Sequence, residues 1–389
     1  MGIIKQSSAR RLVGWFALLA VLLSAITVTA YAVTRPNAAK PPKRSLAGAL
    51  HTALSAKPVA GVSARFTIAQ NLLGMSSSTI SASPIAGATG TVWVGGGHVR
   101  VQIRSQLGTA EIAYDGHQLM LYDRSHHVAY VLPIAQRATT HRDSHGPPAV
   151  PTVTAINHAL LQLGHEAVVS GAIPSNVAGR PAYEVRMSPR RNGGLFGDLA
   201  LAWDAAHGVP LRFALYPRGS STPAIAVTVT HIRYGTVPSA RLQVVPAAGT
   251  RIVHVHLPSR SRLHSAAAHA APATGAAAVS RAVGFRLAAP HTLAGLGLGQ
   301  VRSVNLGKTP AALVTYGHGL GTVFVLEQAA GNGSSPLRSL PSVSIAGTSG
   351  HELQTTLGSL VQFTRGGVTY TVIGSQPATT IMTAAQALA

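Results

Sequence analysis

From about Val62 to Val253 the chain alternates apolar and polar positions with a period of two. Such alternation marks strands of an antiparallel sheet with one buried face. Thr91-Val92-Trp93-Val94, a Gly-Gly-Gly turn at 95–97, and His98 to Arg104 read as a hairpin. Val99, Val101 and Ile103 share one face of its second strand, and Arg100, Gln102 and Arg104 share the other. Asp115-Gly116 predicts a two-residue turn between Ile112/Tyr114 and Leu119/Leu121. HVAYVLP follows as another strand. Further strands are predicted in AVVSGAI, RPAYEVRMSP, DLALAWDAAHGVPLRFALYP and PAIAVTVTHIRYG, with a turn at Ala206-His207-Gly208.

Two stretches, one before this region and one within it, have a helical reading instead. Leu46, Leu50 and Leu54 stand four apart in SLAGALHTALSA, a helical spacing for which Ser45 is the N-cap. Thr152 to His165 reads as a second helix, after a polar loop containing Pro147, Pro148 and Pro151. A one-sided sheet of this size must cover its apolar face, and these few helices are the expected cover.

Residues 284–389 resume the period of two in a smaller unit. Its predicted strands are GFRLAAP, QVRSVNL, AALVTYG, TVFVLEQ, SVSIAG and the hairpin LVQFTRGGVTYTVIG, followed by a helix from Pro377. Between the two units, residues 256–283 are rich in Ala, Ser, His and Arg and read as a linker.

Leu12 to Val33 is uncharged and apolar, long enough to cross a bilayer as a helix of roughly 20 residues. Lys5, Arg10 and Arg11 precede it, and Trp15 and Tyr31 lie near its ends. Ala30-Tyr31-Ala32 resembles a cleavage site, but the apolar run exceeds a signal core of roughly 7–15 residues, which favours an uncleaved anchor. The expected layout is a cytoplasmic tail at 1–11, an anchor at 12–33 and a Pro- and Lys-rich stalk at 34–44. An extracytoplasmic sheet domain at 45–255, the linker at 256–283 and a C-terminal α+β domain at 284–389 would follow. The predicted class is α+β: a transmembrane helix, a large curved antiparallel sheet with covering helices, then a small β-rich domain.

Composition narrows the chemistry. There is no cysteine, which excludes disulfides, thiolate metal sites and cysteine nucleophiles. Lys and Arg total 31 against 10 Asp and Glu, a net charge of +21. The tail and stalk through residue 44 carry +7 and residues 251–283 carry +4, so 11 of the 21 charges flank the apolar helix or lie in and beside the linker. The folded parts are only mildly basic, which argues against nucleic acid and for anionic headgroups beside the anchor.

Motifs for catalysis are weak. Gly317-His318-Gly319-Leu320-Gly321 precedes a predicted strand rather than a helix, so it reads as a hairpin turn and not a phosphate loop. His141/His145, His126-His127 and His254/His256 are close pairs without further ligands. Glu111 and Asp115 lie four apart on a strand, about 13 Å and too far for a shared proton, and Asp115 is accounted for by its turn. Asn332-Gly333-Ser334 is a glycosylation sequon. No enzyme, cofactor or metal site is expected.

Residues 45–255 resemble the LolA/RseB superfamily of lipoprotein-carrier and sensor domains. The likeness rests on the opening helix with VSARFTI (62–68), GTVWV (90–94) and IAYDGHQLMLYD (112–123). It continues in VSGAIPSNVAGRPAYEVRMSP (169–189), LALAWDAAHGVPLRF (199–213) and TVPSARLQVVPAAGTRIV (236–253). GRPAYEV and the Trp203-Asp204…Gly208-Val209-Pro210 hairpin are its most specific pieces. The resemblance implies an incomplete barrel with helices plugging a concave apolar face that binds acyl chains without catalysis. The implied lining is Val92, Val94, Val99, Val101, Ile103, Ile112, Tyr114, Leu119, Leu121, Phe213 and Leu215, with Leu160 and Leu161 from a helix. Half-barrel, linker and small second domain together resemble the RseB arrangement, which implies a regulatory alternative: an interaction with a membrane anti-sigma factor or another envelope protein. Unlike the soluble single-domain carriers, this chain carries an apolar N-terminal segment and a second domain, and no Cys follows that segment to take a lipid.

Overall fold

A computed structural model describes residues 40–73, 87–106, 108–134, 150–255, 273–306, 309–331, 337 and 340–389. The apolar segment 12–33, the His141/His145 pair, His256 and the sequon at Asn332 lie outside these residues. Among the described residues no helix is long and apolar enough to cross a membrane.

The period-two region forms one curled sheet of 13 strands. In chain order they are β1 (Gly61–Gln70), β2 (Ala88–Gly95), β3 (His98–Ser105), β4 (Gly108–Tyr114), β5 (Gln118–Asp123) and β6 (Val128–Pro133). Then come β7 (Ala167–Val169), β8 (Ile173–Val177), β9 (Arg180–Pro189), β10 (Phe196–Asp204), β11 (Pro210–Pro217), β12 (Ile225–Tyr234) and β13 (Arg251–His254). The order across the sheet is β13-β6-β5-β4-β3-β2-β1-β12-β11-β10-β9-β7, with β8 on β9. Neighbours are antiparallel except β13, which joins β6 in parallel. Residues 235–250 are the crossover that carries the chain from β12 over one face of the sheet to this edge. The stretch AVVSGAI, read as a single strand, is two strands, β7 and β8, which meet different parts of β9.

Both predicted helices form. α1 (Leu46–Leu54) is capped by Ser45, whose hydroxyl accepts from the Gly48 N–H at 3.1 Å. α2 (Val153–Gly164) is capped in the same way by Thr152. α1 stands on Tyr183, Val185, Leu201 and Trp203 of β9 and β10, with Ala49 fully buried in that contact. Gly208 is glycine for this packing: its φ is +67°, and a Cβ there would run into the Ala53 carbonyl of α1. α2 packs on α1 and β7 at the sheet's edge. α3 (Ser239–Leu242) is a single turn in the crossover, against β2 and β3.

The second unit is an 8-stranded sheet. Its strands are β14 (Thr292–Leu293), β15 (Leu296–Leu306), β16 (Thr309–Tyr316), β17 (Val323–Ala329), β18 (Ser342–Ile345), β19 (Thr348–Thr355), β20 (Gly358–Arg365) and β21 (Val368–Gly374). α4 (Ala276–Val283) and α5 (Ala378–Leu388) cover it. Two expectations are corrected here. GFRLAAP (284–290) is not a strand, and residues 276–283 of the stretch read as linker are helix α4. Val279 and Val283, four apart, drop into the core of this unit, which turns an alanine-rich run of good helix formers into a packed element. Gly284, at φ +76°, ends the helix in the left-handed conformation, a role that a strand residue could not have.

Candidate functional site

The strand register sorts the sheet's two faces. On one face Val92, Val101, Ile112 and Leu121 form a row across β2–β5, and Val94, Val99, Tyr114 and Leu119 form the next. Ile103 extends this face beside Gly90, while Phe213 and Leu215 continue it on β11 opposite Val227 and Ile225. Val94 is buried against Val59, Val62 and Val209, whereas Val99, Val101, Ile103, Ile112, Tyr114 and Leu119 are half-buried and Leu121 is 43% exposed. Leu160 and Leu161 sit apart from these rows on α2 at the β7 edge, and Leu161 is 69% exposed. Thus the expected lining residues on strands share one continuous apolar face, and the two on the helix lie away from the β2–β5 rows at the β7 edge.

The other face is polar and carries a groove. Its walls come from β12, β1, β2 and β3, closed at one end by residues 235–241 of the crossover. The volume is about 800 Å³, and the lining includes Arg65, Arg100, Arg104, Arg233, Arg241, His231 and Trp93. A second hollow of about 410 Å³ continues it past Arg65 and Arg104 over Thr67, Thr89 and Thr230. Arg100 lies over the Trp93 ring at 5.3 Å. It also donates to the Arg241 and Gln243 carbonyls, which ties the crossover down.

Glu111, from β4, is fully buried beside the β3 edge of this groove, opposite Gln102. Arg100 and Arg124 hold its two oxygens at 2.9 and 2.7 Å, and Gln102 adds a bond of 3.0 Å. Glu111 therefore anchors arginines, and it does not pair with Asp115. Asp115 instead accepts from the His117 and Gln118 N–H groups, and these bonds hold its carboxyl below the usual range. The Asp115 N–H donates to the Gln118 carbonyl, so the central turn residues are Gly116 and His117, one step beyond the predicted pair. The predictable part of the groove was the alternation of Arg100, Gln102 and Arg104 on β3. Arg65, Arg233 and Arg241 reach it from distant parts of the chain, and no local pattern joins them.

A second constellation joins the two most distinctive sequence pieces. Tyr183 pairs with Trp203 across β9 and β10, their ring centroids 6.2 Å apart. Beside them Asp204 is fully buried and accepts from Arg180 at 2.8 Å, Tyr234 at 2.8 Å and the turn N–H groups of Ala206 and His207. Burial opposes its charge, but the bonds from His207, Arg180 and Tyr234 prevail and hold the carboxyl far below the ordinary value. Burial beside that carboxylate pushes the Tyr234 hydroxyl up. His207 stacks on Tyr234 at 4.1 Å, which completes a structural lock at the β10–β11 hairpin. Among the described residues no three His, Asp or Glu side chains converge on a metal position.

The two units touch through backbone. Leu195 N–H donates to the Ser375 carbonyl at 2.9 Å, Gly321 N–H to Asn192 at 2.5 Å, and Thr356 N–H to Leu72 at 2.7 Å. The glycine-rich segment 317–321 links β16 to β17, and it lies in this junction. A Cβ on Gly321 would press on the Asn192 carbonyl, and one on Gly194 would run into the Ser375 carbonyl.

No family model and no curated protein matches the chain. Solved structures of MucB are similar to it. The Pseudomonas aeruginosa MucA/MucB complex shares 18% identity over 87% of this chain and 94% of that one, with a TM-score of 0.41. MucB in complex with MucA(peri) shares 17% identity over 88% and 95%, with a TM-score of 0.40. An uncharacterised conserved protein from Thermus thermophilus covers 54% of this chain and 97% of its own, at 11% identity and a TM-score of 0.33.

Proposed function

We propose that this chain is a non-enzymatic regulatory protein, held outside the cytoplasm by its 12–33 segment, that binds and controls a membrane anti-sigma factor. What supports this reading is the docking of the small unit onto the half-barrel by the Leu195–Ser375, Gly321–Asn192 and Thr356–Leu72 bonds. Two units fixed to each other present one composite surface to a protein partner, as the RseB-like order of domains implies. In the complexes named above MucB is paired with MucA, and a corresponding partner is proposed here. A second reading, binding of lipid or lipoprotein acyl chains, is favoured by the half-buried apolar rows on β2–β5. Such a face suits reversible contact with an acyl chain, which would act as the sensed signal or as cargo.

The test is calorimetry of the full chain with the extracytoplasmic part of the anti-sigma factor encoded nearest its gene, beside transcription from the cognate sigma-dependent promoter after deletion. Binding together with raised transcription is expected. No binding and unchanged transcription would overturn the regulatory reading. Native mass spectrometry of the purified chain tests the second: co-purified lipid supports it, and failure to take up a fluorescent fatty acid removes it.

A further inference from the structure

We propose that the arginine-lined groove over β12, β1, β2 and β3 binds an extended acidic peptide segment of a protein partner. This goes beyond the regulatory reading, because it concerns the sheet face opposite the apolar rows and holds whatever that partner does. Arg65, Arg104, Arg233 and Arg241 are exposed in or at the rim of the groove, and none of them has a carboxylate partner among the described residues. The carboxylate beside the groove's β3 edge, Glu111 on β4 opposite Gln102, is fully buried and already held by Arg100 and Arg124. Guanidinium groups lining a groove that no Asp or Glu lines create a positive field that favours an anion. Their planar forks match carboxylates.

The spacing selects an extended occupant. Arg233 aligns with Ser63, Trp93 and Arg100 in one row across the strands. Three strand spacings separate the ends of this row, about 14 Å, and Arg104 lies a further four residues along β3, about 13 Å. A single anionic group cannot reach guanidiniums spread over about 20 Å, whereas an extended peptide of about six residues spans that length. Alternate side chains of such a peptide repeat at about 7 Å, the pitch of Arg100, Gln102 and Arg104. Strands β1, β2, β3 and β12 are paired on both edges, so the peptide is held through its side chains and does not add as a strand. Single-stranded nucleic acid fits less well: it needs open aromatic faces for its bases, and Arg100 already lies over Trp93.

The experiment is fluorescence anisotropy with a fluorescein-labelled octapeptide of alternating Asp and Ser, titrated with the full chain, and the same peptide with Asn for Asp. The Asp peptide should bind, and binding should weaken as salt rises. The triple variant Arg65→Ser, Arg104→Ser, Arg233→Ser should lose about tenfold for each arginine the peptide engages. Ile373→Ser, at an exposed position on β21 of the second unit, should bind as the parent does. Equal binding of the Asn peptide, or unchanged affinity in the triple variant, would overturn the proposal. So would displacement of the Asp peptide by phosphatidylglycerol vesicles or a single-stranded oligonucleotide at lower concentration than by unlabelled Asp peptide. Should the serine variant fail to fold, the corresponding Arg→Lys triple decides: a severalfold loss from the missing forks supports the assignment, and parental affinity overturns it.

Discussion

Two buried carboxylates show how the same side-chain chemistry gives opposite pH behaviour. Asp204 is charged because Arg180, Tyr234 and His207 donate to it. A lowered pKa contributes stability that is present above the ordinary carboxylate range and lost as pH falls below it. Asp204→Asn should leave Arg180 half-buried without its partner and cost about 3 kcal/mol, read as a lower denaturant midpoint. Glu327, on β17, is fully buried with one oxygen bonded to the Ala288 N–H at 3.0 Å and the other without a partner among the described residues. Burial pushes it up to about 7, against a small opposing effect of the Ala288 bond. A raised pKa reverses the sign: the stability is present below the unfolded value of 4.5 and is lost as pH rises towards about 7. The wild type should therefore lose on the order of 3 kcal/mol between pH 4.5 and 7.5, while Glu327→Gln should be flat in that window. Thermal unfolding of both proteins across the window checks this.

At the scale of elements, side-chain burial decided what local pattern left open. Ser45 and α1 were legible because a cap and a four-residue repeat are local signals. Ser45→Ala should lower stability by about 1 kcal/mol, measurable as a shift in melting temperature. In contrast, α4 was hidden in a low-complexity run whose only guide was the Val279–Val283 spacing. Strand β2 holds a further device that depends on a neighbour. Gly90 lies opposite Phe66, and a Cβ there would overlap the Phe66 ring, so the ring fills the space the glycine leaves. Gly90→Val should expel that ring from its 9% exposed position and destabilise the half-barrel by about 1–3 kcal/mol. Denaturant unfolding with far-UV circular dichroism would register the change.

Across the whole molecule, the junction between the units carries the regulatory reading. Gly194→Val with Gly321→Val should break it, because each adds bulk against a carbonyl of the other unit while leaving the strands intact. Limited proteolysis should then cut faster near residues 190–195, and small-angle scattering should report a larger radius of gyration. An unchanged profile would show that the docking does not depend on these contacts.

The period of two determined by itself that a large antiparallel sheet forms, that β2 and β3 make a hairpin, and which residues of β2–β5 share an apolar face. It did so because strand geometry sends alternate side chains to opposite faces, whatever the rest of the chain does. The Ser45 cap and the four-residue leucine spacing placed α1 by the same local logic. Only the tertiary structure decided that Arg65, Arg233 and Arg241 join Arg100 and Arg104 around one groove, that Glu111 is buried beside it, and that the glycine-rich 317–321 turn serves the junction. These groupings depend on sheet order, which brings β12 beside β1 across more than a hundred and fifty residues of chain. Strand pairing at that distance is set by the packing of whole faces, and no spacing within a single segment encodes it.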